Sequence, residues 1–425
     1  MKQNGTHEKE ALGLYLHIPF CLSKCNYCDF CSFAVKGDFS LVQEYVDALC
    51  NEIAAYRYLS RKYELCTIYF GGGTPSLLSV EQLSQVMDVI YKTFSVSRYT
   101  EITLECNPGT TNEDKLAGYK GCLVNRLSIG LQSVSNERLK RLGRIHTYEQ
   151  FLEQYETARK VGFQNISVDL MSALPGQSLK EYETSLKTVI ALAPEHISSY
   201  GLIMEEGTPF YTDKSIWESL PEEKICVAMY ERTGELLTGA GYEQYEISNY
   251  CKPGMYSRHN SSYWIGTPYL GVGLNASSYL QGEEIIPVLK VEEAGRMLRF
   301  RNGESMKEYL LCYGNRAGKG EALSAIDEVA AYQYCSRQWR EIEVLSDNDR
   351  MEEFVFLGLR RLEGIRLADF EQRFQIPFRT IYQKSLRKHI NLGNLMCYEK
   401  EGFKYVALTP QGMLISNQVF VDFMF

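Results

Sequence analysis

The chain has 425 residues, more than one ordinary hydrophobic core holds, so we expect two domains. Hydrophobic residues make up 45% of it and charged residues 23%, as in soluble globular proteins, and no apolar run is long enough to span a bilayer. The net charge of −8 and the absence of a basic run argue against nucleic acid as the main partner. The N-terminus carries no secretory signal, so we expect a cytoplasmic protein.

The first half of the chain alternates predicted strands with predicted helices. In residues 12–18, Leu12, Leu14, Leu16 and Ile18 alternate on one face, as in a strand. The further predicted strands are 66–70, 101–106, 126–131, 165–170 and 196–202, and the predicted helices are 41–59, 80–94, 148–161 and 179–192. Six βα units predict an α/β fold whose parallel sheet curls into a full or partial barrel, with the ligand site at the carboxyl ends of its strands.

The pattern changes after about Gly207. Residues 240–282 are rich in Gly, Tyr, Ser and Asn and are predicted to form an irregular lid or pocket edge. Towards the end, helices at 351–362, 367–374 and 379–392 precede a hairpin at 396–408 that turns at Glu401-Gly402, which predicts a small α+β winged-helix-like domain. The predicted division is a tail (1–11), a barrel with its lid (12–285), a connecting segment (286–349) and the C-terminal domain (350–425).

Cys21, Cys25, Cys28 and Cys31 lie within eleven residues. Disulfides rarely persist in a reducing compartment, so this grouping indicates a metal site. On one short loop after a strand, Cys21, Cys25 and Cys28 can each ligate one iron of a cubane, which leaves the fourth iron open to a substrate or cofactor. The alternatives are a zinc site, which usually separates two cysteine pairs by a dozen residues or more, and a ferredoxin cluster, which has another spacing. Cys31 is either a fourth ligand in the resting protein or, as we favour, a loop cysteine.

Residues 15–30 read Tyr-Leu-His-Ile-Pro-Phe-Cys-Leu-Ser-Lys-Cys-Asn-Tyr-Cys-Asp-Phe. This segment resembles the signature of the coproporphyrinogen dehydrogenase-like radical-SAM group, and within it the chain most resembles the HemW-type heme chaperones. The resemblance runs from about Leu12 to Phe425. It implies a radical-SAM partial (βα)6 TIM-like barrel and a HemN-type C-terminal domain. It also implies a [4Fe–4S] cluster whose open iron binds S-adenosylmethionine (SAM).

The resemblance further implies a set of SAM contacts at successive strand ends. In the family, the segment that reads Phe70-Gly-Gly-Gly-Thr-Pro-Ser76 here holds the amino group and carboxylate of the methionine moiety, and glycines allow such a close approach. An arginine suits a carboxylate and a strand-end aspartate suits ribose hydroxyls. The positions that match family contacts are Tyr15, Gly72, Gly73, Thr74, Glu105, Gln132, Arg144 and Asp169. Ser172 and Ala173 replace a tyrosine and a glycine that the family usually has after Asp169-Leu-Met.

Two functions fit this machinery: a heme chaperone, and oxygen-independent oxidative decarboxylation of coproporphyrinogen III. Against the second, Cys31 comes one residue later than the fourth cysteine of the dehydrogenases, and only 14 residues precede Tyr15, too few for their N-terminal extension. His259-Asn-Ser-Ser-Tyr263-Trp264 matches the chaperones' HNxxYW pattern. Histidine is a common ligand of heme iron, although without the resemblance a hydrogen-bonded structural histidine is the favoured interpretation of His259.

We therefore expect a heme-binding chaperone that delivers heme to acceptor hemoproteins at the membrane, any membrane contact running through a partner. Whether the chain is also an enzyme stays open, as does its oligomeric state. The C-terminal helices and wing could instead form a nucleic-acid module, but the arginines there make no basic patch by themselves. A protein-docking or pocket-covering role is the favoured expectation for this domain.

Overall fold

The structure of the protein is a computed structural model that describes residues 9–35, 37, 39–282, 296–314 and 340–425. Parts of the predicted N-terminal tail and of the predicted connecting segment lie outside these described residues. Within them, no helix has both the length and the apolar composition needed to cross a bilayer.

The described strands are β1 (Glu10–Ile18), β2 (Phe20–Cys21), β3 (Phe33–Ala34), β4 (Tyr63–Gly72), β5 (Ser95–Cys106), β6 (Arg126–Gln132), β7 (Ile166–Ser172), β8 (His196–Gly201), β9 (Glu243–Gln244), β10 (Asn249–Cys251), β11 (Tyr269–Val272), β12 (Ser277–Gln281), β13 (Met297–Asn302), β14 (Arg340–Val344), β15 (Ile365–Arg366), β16 (Leu395–Lys400) and β17 (Phe403–Leu408).

The described α-helices are α1 (Ser40–Ala55), α2 (Val80–Thr93), α3 (Glu113–Gly121), α4 (Asn136–Arg141), α5 (Tyr148–Val161), α6 (Leu179–Ala191), α7 (Pro209–Thr212), α8 (Lys214–Glu218), α9 (Glu223–Gly239), α10 (Arg258–Trp264), α11 (Met306–Tyr313), α12 (Asp347–Leu359), α13 (Leu367–Phe374), α14 (Phe378–Asn391), α15 (Pro410–Leu414) and α16 (Ser416–Val421). Along the chain, β1, β4, β5, β6, β7 and β8 alternate with helices, which confirms the predicted βα order.

The chain folds into two compact units, and each gathers its residues from several stretches of sequence. The first holds the described residues of 1–130, 139–164 and 267–344, and the second those of 131–138, 165–266 and 345–425. This division concerns packing alone, and the predicted domain boundaries stay a prediction.

The first unit is built on a parallel sheet. Strands β11, β1, β4, β5 and β6 pair in parallel in that order, and β12, β13 and β14 continue from β11 in antiparallel pairs. The predicted inward face of β1, from Leu12 to Ile18, is fully buried. Helix α1 packs on α2, and α3 packs on α5. A parallel sheet is usually covered on both faces, so its strands have few exposed residues. The carboxyl ends of its parallel strands lie at the same edge of the sheet.

In the second unit, β7 and β8 pair in parallel, β10 lies antiparallel to β8, and β9 antiparallel to β10. Its C-terminal part joins α12, α13 and α14 to a three-stranded sheet in the order β15, β17, β16. Val355, Phe370 and Val406 lie in the core that these elements share. Between β16 and β17, Glu401 and Gly402 both have a positive φ, as a two-residue hairpin turn with matching twist requires. The hairpin and the second and third predicted helices are confirmed, whereas the helix predicted over 351–362 spans Asp347–Leu359.

Reciprocal caps explain why several predicted helices begin where they do. In each case a Ser or Thr side chain accepts a hydrogen bond from the backbone N–H of the residue three positions later, and the side chain of that residue accepts one from the backbone N–H of the cap residue. These caps are Ser79 before α2, Thr147 before α5, Ser178 before α6 and Ser346 before α12. The helices predicted to start at residues 80, 148 and 179 do start there.

Two predictions about local structure are wrong. The helix predicted over 41–59 ends at Ala55, because Tyr56 leaves the helical conformation and Arg57–Arg61 continue as a 3₁₀-helix. Leu59 is still buried, which is why the apolar pattern runs on past the end of the α-helix. The segment 240–282, predicted to be irregular, contains strands β9 to β12 and helix α10, and β11 pairs directly with β1, while its role as a lid or pocket edge stays a prediction.

Candidate functional site

The cysteine loop begins where β1 and β2 end and is held by the segment after α4. Cys21 is buried, while Cys25, Cys28 and Cys31 are half-buried. The backbone N–H of Asn26 donates to the Leu142 carbonyl oxygen at 2.9 Å, and the Asn26 side chain donates to the Arg141 carbonyl oxygen at 3.0 Å. A loop that must present three thiolates is thus fixed at its centre by a second part of the same unit.

Two side chains donate to the sulfur atoms of this loop. The Thr74 hydroxyl lies 3.4 Å from Cys21 Sγ, and Arg144 Nη1 lies 3.7 Å from Cys25 Sγ. Burial and, to a smaller extent, the charge of Cys25 raise the pKa of the Cys21 thiol, and the same two effects contribute to a pKa of about 11 for Cys28. Bound iron reverses this balance, since a coordinating thiol loses its proton.

The donor set therefore fits a [4Fe–4S] cluster: three thiols on one loop, with hydrogen bonds to two of the sulfurs. In the described part of the chain, no three Cys, His, Asp or Glu side chains are gathered around a position for a single metal ion. A cubane cluster requires its three thiolates to lie farther apart than the ligands of a single metal ion, because each thiolate binds a different iron.

The glycines after β4 let this strand end pass very close to β1 and β2. Gly72 has a φ of +110°, and a Cβ there would lie 2.6 Å from the His17 ring. A Cβ on Gly73 would lie 2.7 Å from the Phe20 carbonyl oxygen. The Gly73 N–H already donates to the Ile18 carbonyl oxygen at 2.8 Å. The predicted glycines are thus needed for packing against the cysteine loop, whether or not they also bind a ligand.

Thr74, Arg144 and Cys25 line one pocket beside the cysteine loop. Asn107, which lines the same pocket, donates from Nδ2 to Thr74 Oγ1 at 2.7 Å and accepts from Arg144 Nη2 at 2.8 Å. Arg144 Nη2 also donates to the Gly130 carbonyl oxygen at 2.6 Å. Asn107 was not among the predicted site residues, although it lies only two positions after Glu105.

Tyr15 and Glu105 belong to a neighbouring hydrogen-bonded group. Tyr69 donates to Glu105 Oε1 at 2.7 Å, and its ring stacks on that of Tyr15 with centroids 6.2 Å apart. His17 Nε2 lies 2.7 Å from the Cys31 carbonyl oxygen, which can only accept, so Nε2 carries a proton and Nδ1 accepts from the Tyr15 hydroxyl at 3.0 Å. Burial lowers the pKa of His17, in keeping with a neutral ring.

Gln132 and Asp169 lie in the second unit. The Tyr200 hydroxyl donates to Gln132 Oε1 at 3.0 Å, and Gln132 itself has a φ of +69°. Asp169 is half-buried in the middle of β7, in register with Ser198 of β8. Ala173, one of the two departures from the family pattern, has a φ of +56°, a conformation that glycine adopts more easily.

His259 lies on α10, whose first turn is capped by the Ser257 hydroxyl. Its side chain is only 1% exposed, and Nε2 lies 2.8 Å from the Tyr263 hydroxyl. Trp264, the last residue of the helix, is half-buried beneath the Arg360 guanidinium, whose Cζ is 4.6 Å from the ring centroid. A bond between His259 Nε2 and an iron would therefore require the hydrogen bond to Tyr263 to break, and the role of His259 stays a prediction.

Two family models match the chain: that of the radical SAM superfamily matches residues 15–189, and that of the HemN C-terminal domain matches residues 345–415. The heme chaperone HemW of Escherichia coli is 41% identical over 408 residues, which cover 96% of this chain and 97% of that protein. The heme chaperones HemW of Bacillus subtilis and Lactococcus lactis are 34% and 32% identical, and each match covers 96% of this chain and 98% or 96% of the relative.

Among solved structures, the coproporphyrinogen III oxidase HemN of E. coli, a radical SAM enzyme, resembles the chain with a TM-score of 0.76. The match covers 99% of this chain and 91% of that one at 22% sequence identity, and so bears on the fold alone. It confirms the predicted fold: an α/β radical-SAM barrel followed by a small C-terminal domain.

Proposed function

Since the chain belongs to the HemW family of radical SAM proteins, we propose that it binds heme and delivers it to hemoproteins. The observation that carries this proposal is the relationship to heme chaperones along almost the whole chain, through both the barrel and the C-terminal domain. Delivery to acceptors at a membrane and a cytoplasmic location are part of the proposal.

In this function, Cys21, Cys25 and Cys28 hold the [4Fe–4S] cluster of the radical SAM family. The cluster supplies electron transfer to a ligand at its open iron. The pocket next to Cys25 takes the methionine part of SAM. There, Arg144 can offer its planar fork to a carboxylate, and Thr74 and Asn107 keep that fork oriented through their hydrogen bonds. Gly72, Gly73, Tyr15 and Glu105 complete this part of the site, and Gln132 and Asp169 are assigned to the remaining SAM contacts.

Oxidative decarboxylation of coproporphyrinogen III is the alternative. The likeness to HemN concerns the fold, and related folds carry unrelated activities. The motif around His259 favours the chaperone, because Tyr263 and Trp264 add aromatic surface next to a possible iron ligand.

An anaerobic heme titration of the reconstituted full chain, followed at the Soret band, tests heme binding and the role of His259 together. We expect saturable, near-stoichiometric binding that His259→Ala weakens. Tyr263→Phe removes only the hydroxyl that engages Nε2, so it should bind heme at least as tightly as the wild type. If both variants bind like the wild type, His259 is structural. If the wild type shows no saturable change, the chaperone proposal fails and decarboxylated porphyrinogen becomes the product to seek.

A further inference from the structure

A cleft of about 450 Å³ lies in the second unit, between the end of α10 and the C-terminal domain. Its walls come from Trp264 and Ile265 on one side and from α12, β15 and α13 on the other. This volume falls in the range of small-molecule sites, roughly 300 to 1,000 Å³. None of the residues named for SAM or for the cluster lines it.

The polar part of the lining is dominated by arginine. Arg361, Arg366 and Arg373 are half-buried and line the cleft, against a single carboxylate, Asp369, which pairs with Arg366. Arg361 is also paired, with Glu363 at 2.7 Å outside the lining. On a chain whose net charge is −8, three arginines around one cleft concentrate positive charge where the rest of the chain is acidic.

The other part of the lining is apolar and flat. Trp264, Phe354 and Ile365 contribute to it, and the Arg373 guanidinium lies over the Phe354 ring with its Cζ 5.9 Å from the centroid. Aromatic faces next to guanidinium groups suit a ligand that combines a planar apolar body with acidic groups at its edge.

Trp264 is held in place from behind. The Arg360 guanidinium lies over its ring and reaches towards the buried Glu246, with 3.6 Å between Arg360 Nη2 and Glu246 Oε2. Gly266, two residues after the end of α10, has a φ of +70° and lies close to Arg373. A Cβ on Gly266 would be 2.8 Å from Arg373 Nη1. The two walls of the cleft thus approach each other through arginines that pack on aromatic or glycine residues.

We propose that this cleft binds the carboxylate edge of a planar apolar dicarboxylate, which in a heme chaperone is the propionate side of heme. The assignment of heme as this ligand rests on the proposed function. Arg361, Arg366 and Arg373 contact the propionates, while Trp264 and Phe354 pack on the macrocycle. The contacts between these arginines and the propionates are separate from the ligation of the iron, so they do not depend on His259.

The probes are iron protoporphyrin IX and its dimethyl ester, which has the same ring and iron but no carboxylates. Both are titrated into the full wild-type chain. A hydrogen bond to a charged group contributes enough that we expect the ester to bind about 10-fold to 100-fold more weakly. Arg361→Gln/Arg373→Gln should weaken binding of the free acid by a similar factor and leave binding of the ester unchanged. The control Arg379→Gln changes an exposed arginine of the same domain and should still bind the free acid more tightly than the ester.

Equal affinity of the wild type for the acid and the ester would overturn the cleft assignment while leaving heme binding intact, and this comparison needs no variant to fold. An equal loss in Arg379→Gln would also overturn it, since the effect would then be one of overall charge. If neither probe binds at all, the proposed function itself has failed. A short oligonucleotide that competes with the acid for the cleft would assign the arginines to phosphate instead.

Discussion

Arg144 joins the cysteine loop to the pocket beside it. One guanidinium nitrogen lies 3.7 Å from Cys25 Sγ, while the other donates to Asn107 Oδ1 and to the Gly130 carbonyl oxygen. A rigid fork can serve these partners at the same time, whereas a lysine ammonium is a point charge on a flexible stem. The geometry of Arg144 therefore matters as well as its charge.

Arg144→Lys keeps the positive charge and replaces the planar guanidinium by a single ammonium group. We expect SAM to bind about 10-fold more weakly or worse, because a lysine ammonium cannot keep the contacts to Asn107 and Gly130 while it pairs with the carboxylate of SAM. The iron content should stay that of the wild type, because the three proposed cysteine ligands are unchanged. Equilibrium dialysis of SAM and an iron assay measure the two quantities. Arg301→Lys, at an exposed arginine paired with Glu341, is the matched control and should change neither. Unchanged SAM affinity in Arg144→Lys would remove this residue from the site.

The four cysteines of the loop should respond differently to substitution. Cys25→Ala removes a proposed ligand and should abolish the cluster, whereas Cys31→Ala should retain it, because Cys31 is assigned to the loop. Iron and sulfide content after anaerobic reconstitution, together with the cluster absorbance, provide the readout. A cluster lost in Cys31→Ala would show that this residue is a ligand after all.

At the last residue of β4, the backbone conformation and the close neighbours leave room for glycine alone. Gly72 has a φ of +110°, and its Cα faces the His17 ring so closely that any Cβ would collide with it. We expect Gly72→Ala to lower the free energy of unfolding by about 1 to 3 kcal/mol or more. Gly121→Ala, at an open position at the end of α3, is the control and should be neutral or stabilising. Chemical denaturation of both variants measures this, and equal stabilities would contradict it.

Helix α12 ends beside a buried carboxylate. Burial raises the pKa of Glu246 above its ordinary 4.5, and Arg360 opposes this shift only in part. A raised pKa favours the folded state at pH values below 4.5, and this contribution is lost as the pH rises through the raised value. Glu246→Gln cannot ionise. Its free energy of unfolding should therefore increase relative to the wild type as the pH rises from about 4.5 towards neutrality.

Denaturant titrations of Glu246→Gln and the wild type across this pH range measure the difference. Glu399→Gln, at an exposed glutamate of β16, is the control for a change of surface charge. A difference between Glu246→Gln and the wild type that stays constant with pH would mean that Glu246 does not change its protonation there.

Elements with local signals could be predicted from the sequence, and those that depend on distant partners could not. Helices α5 and α13 have the predicted bounds, the first because Thr147 and Gln150 cap it reciprocally. Strand β13 was not predicted, because its place depends on pairing with β12 on one side and β14 on the other. Helix α9 was missed as well: it begins without a side-chain cap, so no local signal marked its start.

In the molecule as a whole, sites built from residues close in sequence could be predicted, and sites built from distant residues could not. The cysteine loop could be predicted because its four cysteines lie within eleven residues and the spacing of Cys21, Cys25 and Cys28 is specific. The role of Asn107 depends on Thr74, which follows β4, and on Arg144, which follows α4, and this role was not predicted. The arginine cleft needed the folded chain too, because Trp264 and Arg373 are far apart in sequence.

If the chain passes heme to another protein, the transfer itself can be measured. Heme-loaded protein would be mixed anaerobically with the apo form of a b-type cytochrome, and the Soret band of the acceptor followed over time. We expect heme to reach the cytochrome faster than it is released to an excess of an apo-globin that traps free heme. Transfer no faster than this release, together with turnover of coproporphyrinogen III to a decarboxylated product, would contradict it and identify the chain as an enzyme.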